Sequence, residues 1–77
     1  MRALQRVWVS QEGPYAFRWQ RRYVRVAKIL DSWRDVGEWW NADPELWFWR
    51  VQGMEQGVYE LAWDPQSDRW WLYRIYD

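Results

Sequence analysis

Histidine and cysteine are absent from this 77-residue sequence, so nucleophilic catalysis of the Ser-His-Asp or Cys-His kind has neither base nor thiol. The same absence excludes a zinc cluster of Cys and His and a disulfide framework. The four glycines, Gly13, Gly37, Gly53 and Gly57, form no phosphate-cradling cluster, and no Gly-Lys-Ser/Thr string occurs. Only carboxylates remain as candidate chemistry: Asp31 with Asp35 and Glu38, or Asp43 with Glu45. A working carboxyl needs a deep apolar cleft to raise its pKa, and a chain this short has little material to build one. These acids are expected to be solvated or to cap turns. No catalytic residue, metal or cofactor is expected, and the chain reads as a non-enzyme.

Binding chemistry is better represented. Arg18-Trp19-Gln20-Arg21-Arg22-Tyr23-Val24-Arg25 interleaves arginine with aromatic rings, the combination that grips single-stranded nucleic acid by charge on phosphates and rings under bases. Arginines on the outer face of a strand, with Trp19 and Tyr23 packed inward, produce the same string. A second candidate set is Trp33, Trp39 and Trp40. These indoles could plug the end of a barrel, anchor a protein partner, or stack on a cation or sugar.

The elements that must position these residues read as strands. Gly13-Pro14 is a turn signal separating Val7-Trp8-Val9 from Tyr15-Ala16-Phe17-Arg18-Trp19, in which Tyr15, Phe17 and Trp19 share one parity. Arg22 to Leu30 alternates without a breaker and predicts a long strand. Asp31 to Glu45 predicts a loop carrying Trp33, Trp39 and Trp40, with one helical turn near residues 43–47 where Asp43 caps and Pro44 opens it. Trp47 to Val51, Val58 to Trp63 and Trp70 to Tyr76 predict an antiparallel meander, its turns at Gly53 to Gly57 and at Asp64-Pro65-Gln66-Ser67-Asp68. The expected fold is all-β: one domain, residues 1–77, forming a small curved antiparallel sheet or partly open barrel of five to six strands, SH3-like in size.

Parity places Trp47, Trp49 and Val51, then Tyr59, Leu61 and Trp63, then Trp71, Tyr73 and Ile75 on the core face, with Trp8 and Trp19 joining them. The opposite face would carry Phe48, Arg50, Glu60, Trp70, Leu72, Arg74 and Tyr76, more apolar than a solvated face should be. A second copy of the chain could cover it, so self-association is among the expectations.

Ten tryptophans, five tyrosines and two phenylalanines exceed what one small core encloses, and partly exposed large rings point to an interface. Net charge is zero, but residues 1–30 hold seven basic groups against Glu12, whereas residues 31–77 hold four against ten acids. The halves either cancel as neighbouring strands or leave a basic patch. The N-terminus has no long apolar run, so neither a signal peptide nor a membrane span is expected, and a cytoplasmic location is. Arginine outnumbers lysine ten to one, which suits a thermophile.

The order Trp33, Gly37, Trp39-Trp40, Trp49-Arg50-Val51, Tyr59-Glu60-Leu61, Asp64, Trp70, Leu72, Arg74, Tyr76 and Asp77 resembles a small bacterial family of unknown function. Over residues 23–77 it is also similar to the C-terminal tail of catalytically inactive Y-family-like polymerase subunits of the bacterial mutasome. The closing Arg74-Ile75-Tyr76-Asp77 departs from the His-Gly pair those tails often carry. The resemblance implies a non-catalytic protein-interaction module, an accessory factor in DNA repair or translesion synthesis with a DNA polymerase accessory subunit as partner. The expected partner-binding residues are Trp33, Trp39, Trp40, Trp70, Arg74 and Tyr76. The alternative expectation is a single-stranded nucleic-acid-binding domain using Arg18, Trp19, Arg21, Arg22, Tyr23 and Arg25.

Overall fold

The computed structural model describes residues 2–35 and 45–76. Among the described residues seven strands succeed one another: β1 (Arg2–Ala3), β2 (Arg6–Ser10), β3 (Gly13–Trp19), β4 (Arg22–Asp35), β5 (Leu46–Gly53), β6 (Val58–Asp64) and β7 (Arg69–Tyr76). Each neighbouring pair is antiparallel, in the order β1-β7-β6-β5-β4-β3-β2. The all-β expectation stands, with seven strands in place of five or six.

The sheet curls into a half-barrel whose two edge strands, β1 and β2, are consecutive in sequence. Leu4 donates its N–H to the Trp70 carbonyl at 3.0 Å, and Gln5, the next residue, donates to the Arg18 carbonyl at 3.1 Å. Two residues of backbone thus tie β7 to β3. The curl brings Phe17 of β3 edge-on against Tyr59 of β6, ring centroids 5.3 Å apart, although two strands separate them in the sheet. Phe17, Trp19, Val24, Val51, Tyr59, Leu61 and Leu72 form the core on the concave face, with Leu4, Val7, Ile29, Trp49 and Trp70 packed against it.

Three departures from strict alternation in β4 and β7 reassign the faces of those strands. In β4, Ala27 and Leu30 have no partner across β5, because the register shifts between Val26 and Lys28 and between Ile29 and Asp31. Each extra residue flips the parity beyond it and adds twist, so Val24, Val26 and Ile29 face inward together. This also lets β4 run on to Asp35: Trp33 lies in a strand, opposite Phe48, and not in a loop. In β7 the extra residue is Tyr73, since Glu60 pairs with Arg74 and Leu61 with Leu72.

That bulge corrects the core expected for the last strand. Leu72 is buried, while Tyr73 and Ile75 are exposed, and Trp70 turns inward in register with Trp63. The outer face consequently loses Trp70 and Leu72 but gains Trp71, opposite Ala62, and Tyr73, which packs edge-on against Phe48 at 5.1 Å. Trp47, also expected in the core, is 37% exposed because it sits at the sheet's end. Trp49 and Trp63 are half-buried on the inner face, Trp71, opposite Ala62, and Trp8 are half-buried on the outer face, and Trp19 is buried.

The turns follow their residues. Asp64 accepts from the Gln66 N–H and the Ser67 hydroxyl, both at 2.9 Å, and Asp68 closes the turn with φ +56°, a conformation aspartate tolerates. The first turn is Gln11-Glu12; Gly13 and Pro14 open β3, Pro14 beside the bulge that leaves Tyr15 unpaired, where a missing N–H is harmless. The helical turn expected near residues 43–47 is not found: Leu46 and Trp47 are in β5, pairing with Asp35 and Arg34, and Asp43 and Pro44 lie outside the described residues.

Gly13 has φ +130°, and a Cβ there would lie 2.8 Å from Trp49 Nε1 and 2.9 Å from Ile29 Cδ1. Gly13→Ala should therefore lower unfolding free energy by about 2 kcal/mol or more, from backbone strain and displacement of Trp49, read from urea denaturation. Burial, helped by a hydrogen bond to Glu55, pushes the Tyr59 hydroxyl up to about 12 from 10.0. Because the folded state holds this proton more tightly, its stabilising effect is complete below pH 10 and is lost as pH rises toward 12. Stability measured across that window should fall less steeply in Tyr59→Phe than in the wild type.

Candidate binding site

Strand register gathers four indoles at one end of the concave face. Trp47 pairs with Trp63 across β5 and β6, and Trp63 with Trp70 across β6 and β7, giving a row of three; Trp49, two residues along β5, lies in the next row. Trp63 and Trp70 stack with centroids 5.9 Å apart, and Trp49 and Trp70 are 5.2 Å apart. The β2–β3 turn, from Val9 to Gly13, forms the opposite wall, and Ser32 and Asp68 complete the lining. The result is an open cleft of about 370 Å³. Trp63 Nε1 donates to Asp68 Oδ1 at 2.9 Å, which fixes both the ring and the carboxylate.

The convex face carries two further arrangements. Over β4 to β7, register places Asp31 opposite Arg50, Arg50 opposite Glu60, and Glu60 opposite Arg74, so the charges alternate across four strands. Glu60 is 3% exposed and accepts from Arg50 Nε at 3.1 Å, Arg50 Nη2 at 3.0 Å and the Tyr76 hydroxyl. The Glu60 hydrogen bond holds the Arg50 guanidinium above its ordinary pKa. That guanidinium also lies 5.4 Å from the Trp33 ring and 5.5 Å from that of Tyr76, while Trp33 stacks on Phe48 at 5.4 Å.

Over β2 to β4 the pattern differs. Arg6 is opposite Arg18, and Arg18 opposite Tyr23; in the next row Trp8 is opposite Ala16 and Ala16 opposite Arg25. Arg6 covers the Trp8 ring at 4.7 Å, and Trp8 meets Tyr23 edge-on at 5.5 Å. Among the described residues no salt bridge reaches Arg6, Arg18 or Arg25. The charge asymmetry of the sequence is thus cancelled over β4 to β7 and survives over β2 to β4.

The sequence-derived sets are divided by these faces. Of the expected partner-binding residues, Trp33 and Tyr76 flank Arg50 on the convex face with Arg74 over the Tyr76 ring, Trp70 lies in the concave cleft, and Trp39 and Trp40 are outside the described residues. Of the nucleic-acid set, Arg18, Tyr23 and Arg25 share the convex face and Arg21 lies in the β3–β4 turn. Trp19 does not belong with them: it is buried, with Arg2 at 5.2 Å and Arg22 at 5.9 Å over its ring. Sequence reading missed Trp47, Trp49 and Trp63 as cleft residues and Arg6 and Trp8 as members of the basic face. Their common signal is cross-strand register, which no single strand displays. Among the candidate carboxylates, Asp31 and Asp35 are exposed on β4 and Glu45 pairs with Arg34 at 3.0 Å; Glu38 and Asp43 are outside the described residues.

Replacing Arg50 by Met removes two of the three hydrogen bonds to a buried carboxylate and should cost about 1–3 kcal/mol. The double variant Arg50→Met/Glu60→Leu should recover part of that loss, as thermal unfolding would show.

Among the described residues no helix is long and apolar enough to cross a membrane. Comparison with curated proteins and with solved structures gives no match. The family model for a domain of unknown function, DUF6504, matches residues 4–77, and the chain belongs to that family.

Proposed function

We propose that this chain is a non-catalytic protein-interaction module whose concave tryptophan cleft receives a segment of a protein partner. The observation that supports this is the convergence of Trp47, Trp49, Trp63 and Trp70 on one open cleft, since tryptophan dominates the energetic centres of protein interfaces and large open apolar clefts are rare on surfaces that bind nothing. The resemblance of residues 23–77 to mutasome polymerase-subunit tails supports a partner among DNA polymerase accessory subunits, acting in DNA repair or translesion synthesis in the cytoplasm. Trp47 is the suitable probe because its exposure makes it dispensable to the core. Affinity capture from a native lysate with wild type and Trp47→Ala, both confirmed folded by circular dichroism, should yield a protein retained only by the wild type. An identical set of captured proteins overturns the assignment of the cleft.

A second reading, single-stranded nucleic-acid binding, is favoured by one observation: Arg6 and Arg18 face each other and, among the described residues, neither forms a salt bridge. Like charges in that position destabilise a sheet, and an anionic ligand would relieve them. Oligothymidylate should then quench tryptophan fluorescence, with three phosphate contacts giving an affinity loss of about twentyfold between about 50 and 200 mM salt. Absence of quenching at low salt, or quenching unchanged in Arg18→Glu/Arg25→Glu, excludes it.

A further inference from the structure

Four of the eight described tryptophans carry an arginine of the same chain. Arg6 lies over Trp8, Arg2 and Arg22 over Trp19, Arg50 over Trp33, and Arg34 over Trp47 at 5.5 Å. Among the described residues no guanidinium lies over Trp49, Trp63 or Trp70; Trp70 packs against both of the others, stacked on Trp63 and tilted against Trp49, and the three form much of the cleft wall. Among the described residues, the charged side chains lining that cleft are Glu12 and Asp68. Asp68 is fixed through Oδ1 by the Trp63 indole, and among the described residues its Oδ2 accepts no hydrogen bond. An anion here would meet two carboxylates, and a wholly apolar side chain would bury them without a counter-charge.

We infer that the cleft takes an arginine side chain presented by the partner. A guanidinium satisfies both features at once: its planar face stacks on indole, and its edge forks onto a carboxylate. Lysine can supply the charge but not the stacked plane. Room for the peptide that bears it adjoins the cleft. Where the N-terminal segment leaves β7 for β3, a seam of about 450 Å³ opens between β2 and Asp68 to Trp71, and it shares Val9, Asp68 and Trp70 with the cleft. This inference rests on the protein-partner reading and names the chemistry of that partner's anchor.

A randomised dodecapeptide library displayed on phage and selected on the intact protein would test it, with enriched peptides resynthesised carrying citrulline, which keeps arginine's shape without its charge. Arginine should be enriched, and citrulline should weaken binding about tenfold or more. Asp68→Asn keeps the acceptor for Trp63 and the φ that asparagine tolerates, so with Glu12→Gln it removes only charge; this pair should weaken the arginine peptide and leave the citrulline peptide unaffected. Peptides that bind equally with citrulline, yet are lost in Trp47→Ala, overturn the arginine assignment and spare the cleft. Peptides indifferent to Trp47→Ala, or no enriched peptide at all, overturn both.

Discussion

Leu4 and Gln5 hold the fold in its curled form. Their successive N–H groups reach the Trp70 carbonyl on one sheet edge and the Arg18 carbonyl on the other, so an open sheet with two exposed edges becomes a half-barrel. Everything inside depends on that curl. Phe17 and Tyr59 meet only because β3 is brought round toward β6, and Leu61, Val51 and Phe17 become fully enclosed in a chain that would otherwise bury little. The arrangement leaves β2 exposed along the seam, the kind of edge that most sheets protect.

Bulges do the remaining work of shaping. Ala27 and Leu30 let one fourteen-residue strand wrap around the core while keeping Val24, Val26 and Ile29 on its inner face. Tyr73 performs the same service in β7, turning Leu72 into the core and Trp70 into the cleft while leaving Arg74 and Tyr76 outside with Glu60. Without that extra residue the strand would present Trp71 to the core and Trp70 to water.

Arginine and the aromatic rings then divide the surface between them. Over β4 to β7 Arg34 and Arg50 each have both a ring and an acid within reach, and Asp31, Arg50, Glu60 and Arg74 close into an alternating row. Among the described residues, Arg6 over Trp8 and Arg18 opposite it have no salt bridge, and in the cleft Trp49, Trp63 and Trp70 have acids nearby but no arginine over them. The two imbalances lie on opposite faces and are opposite in sign.

The sequence by itself determined the all-β class, the meander of the last three strands and its two turns, because alternating β-branched and aromatic residues bounded by Gly, Pro and Asp leave no competing period. It also determined that Val51, Tyr59 and Leu61 would be core, since no bulge interrupts the register between β5 and β6. Trp33 read as a loop residue because the two bulges of β4 conceal the continuity of the strand behind a broken alternation. The bulge of β7 likewise hid that Trp71 and Tyr73 point outward, while Ile75, beyond it, stays opposite Tyr59 as parity had it. Only the tertiary structure decided which tryptophans face one another, because Trp47, Trp63 and Trp70 come from three strands and meet through register. Only it decided where the basic excess lies, because Arg6 and Arg18 become neighbours when β2 pairs with β3, a pairing that no count along the chain contains.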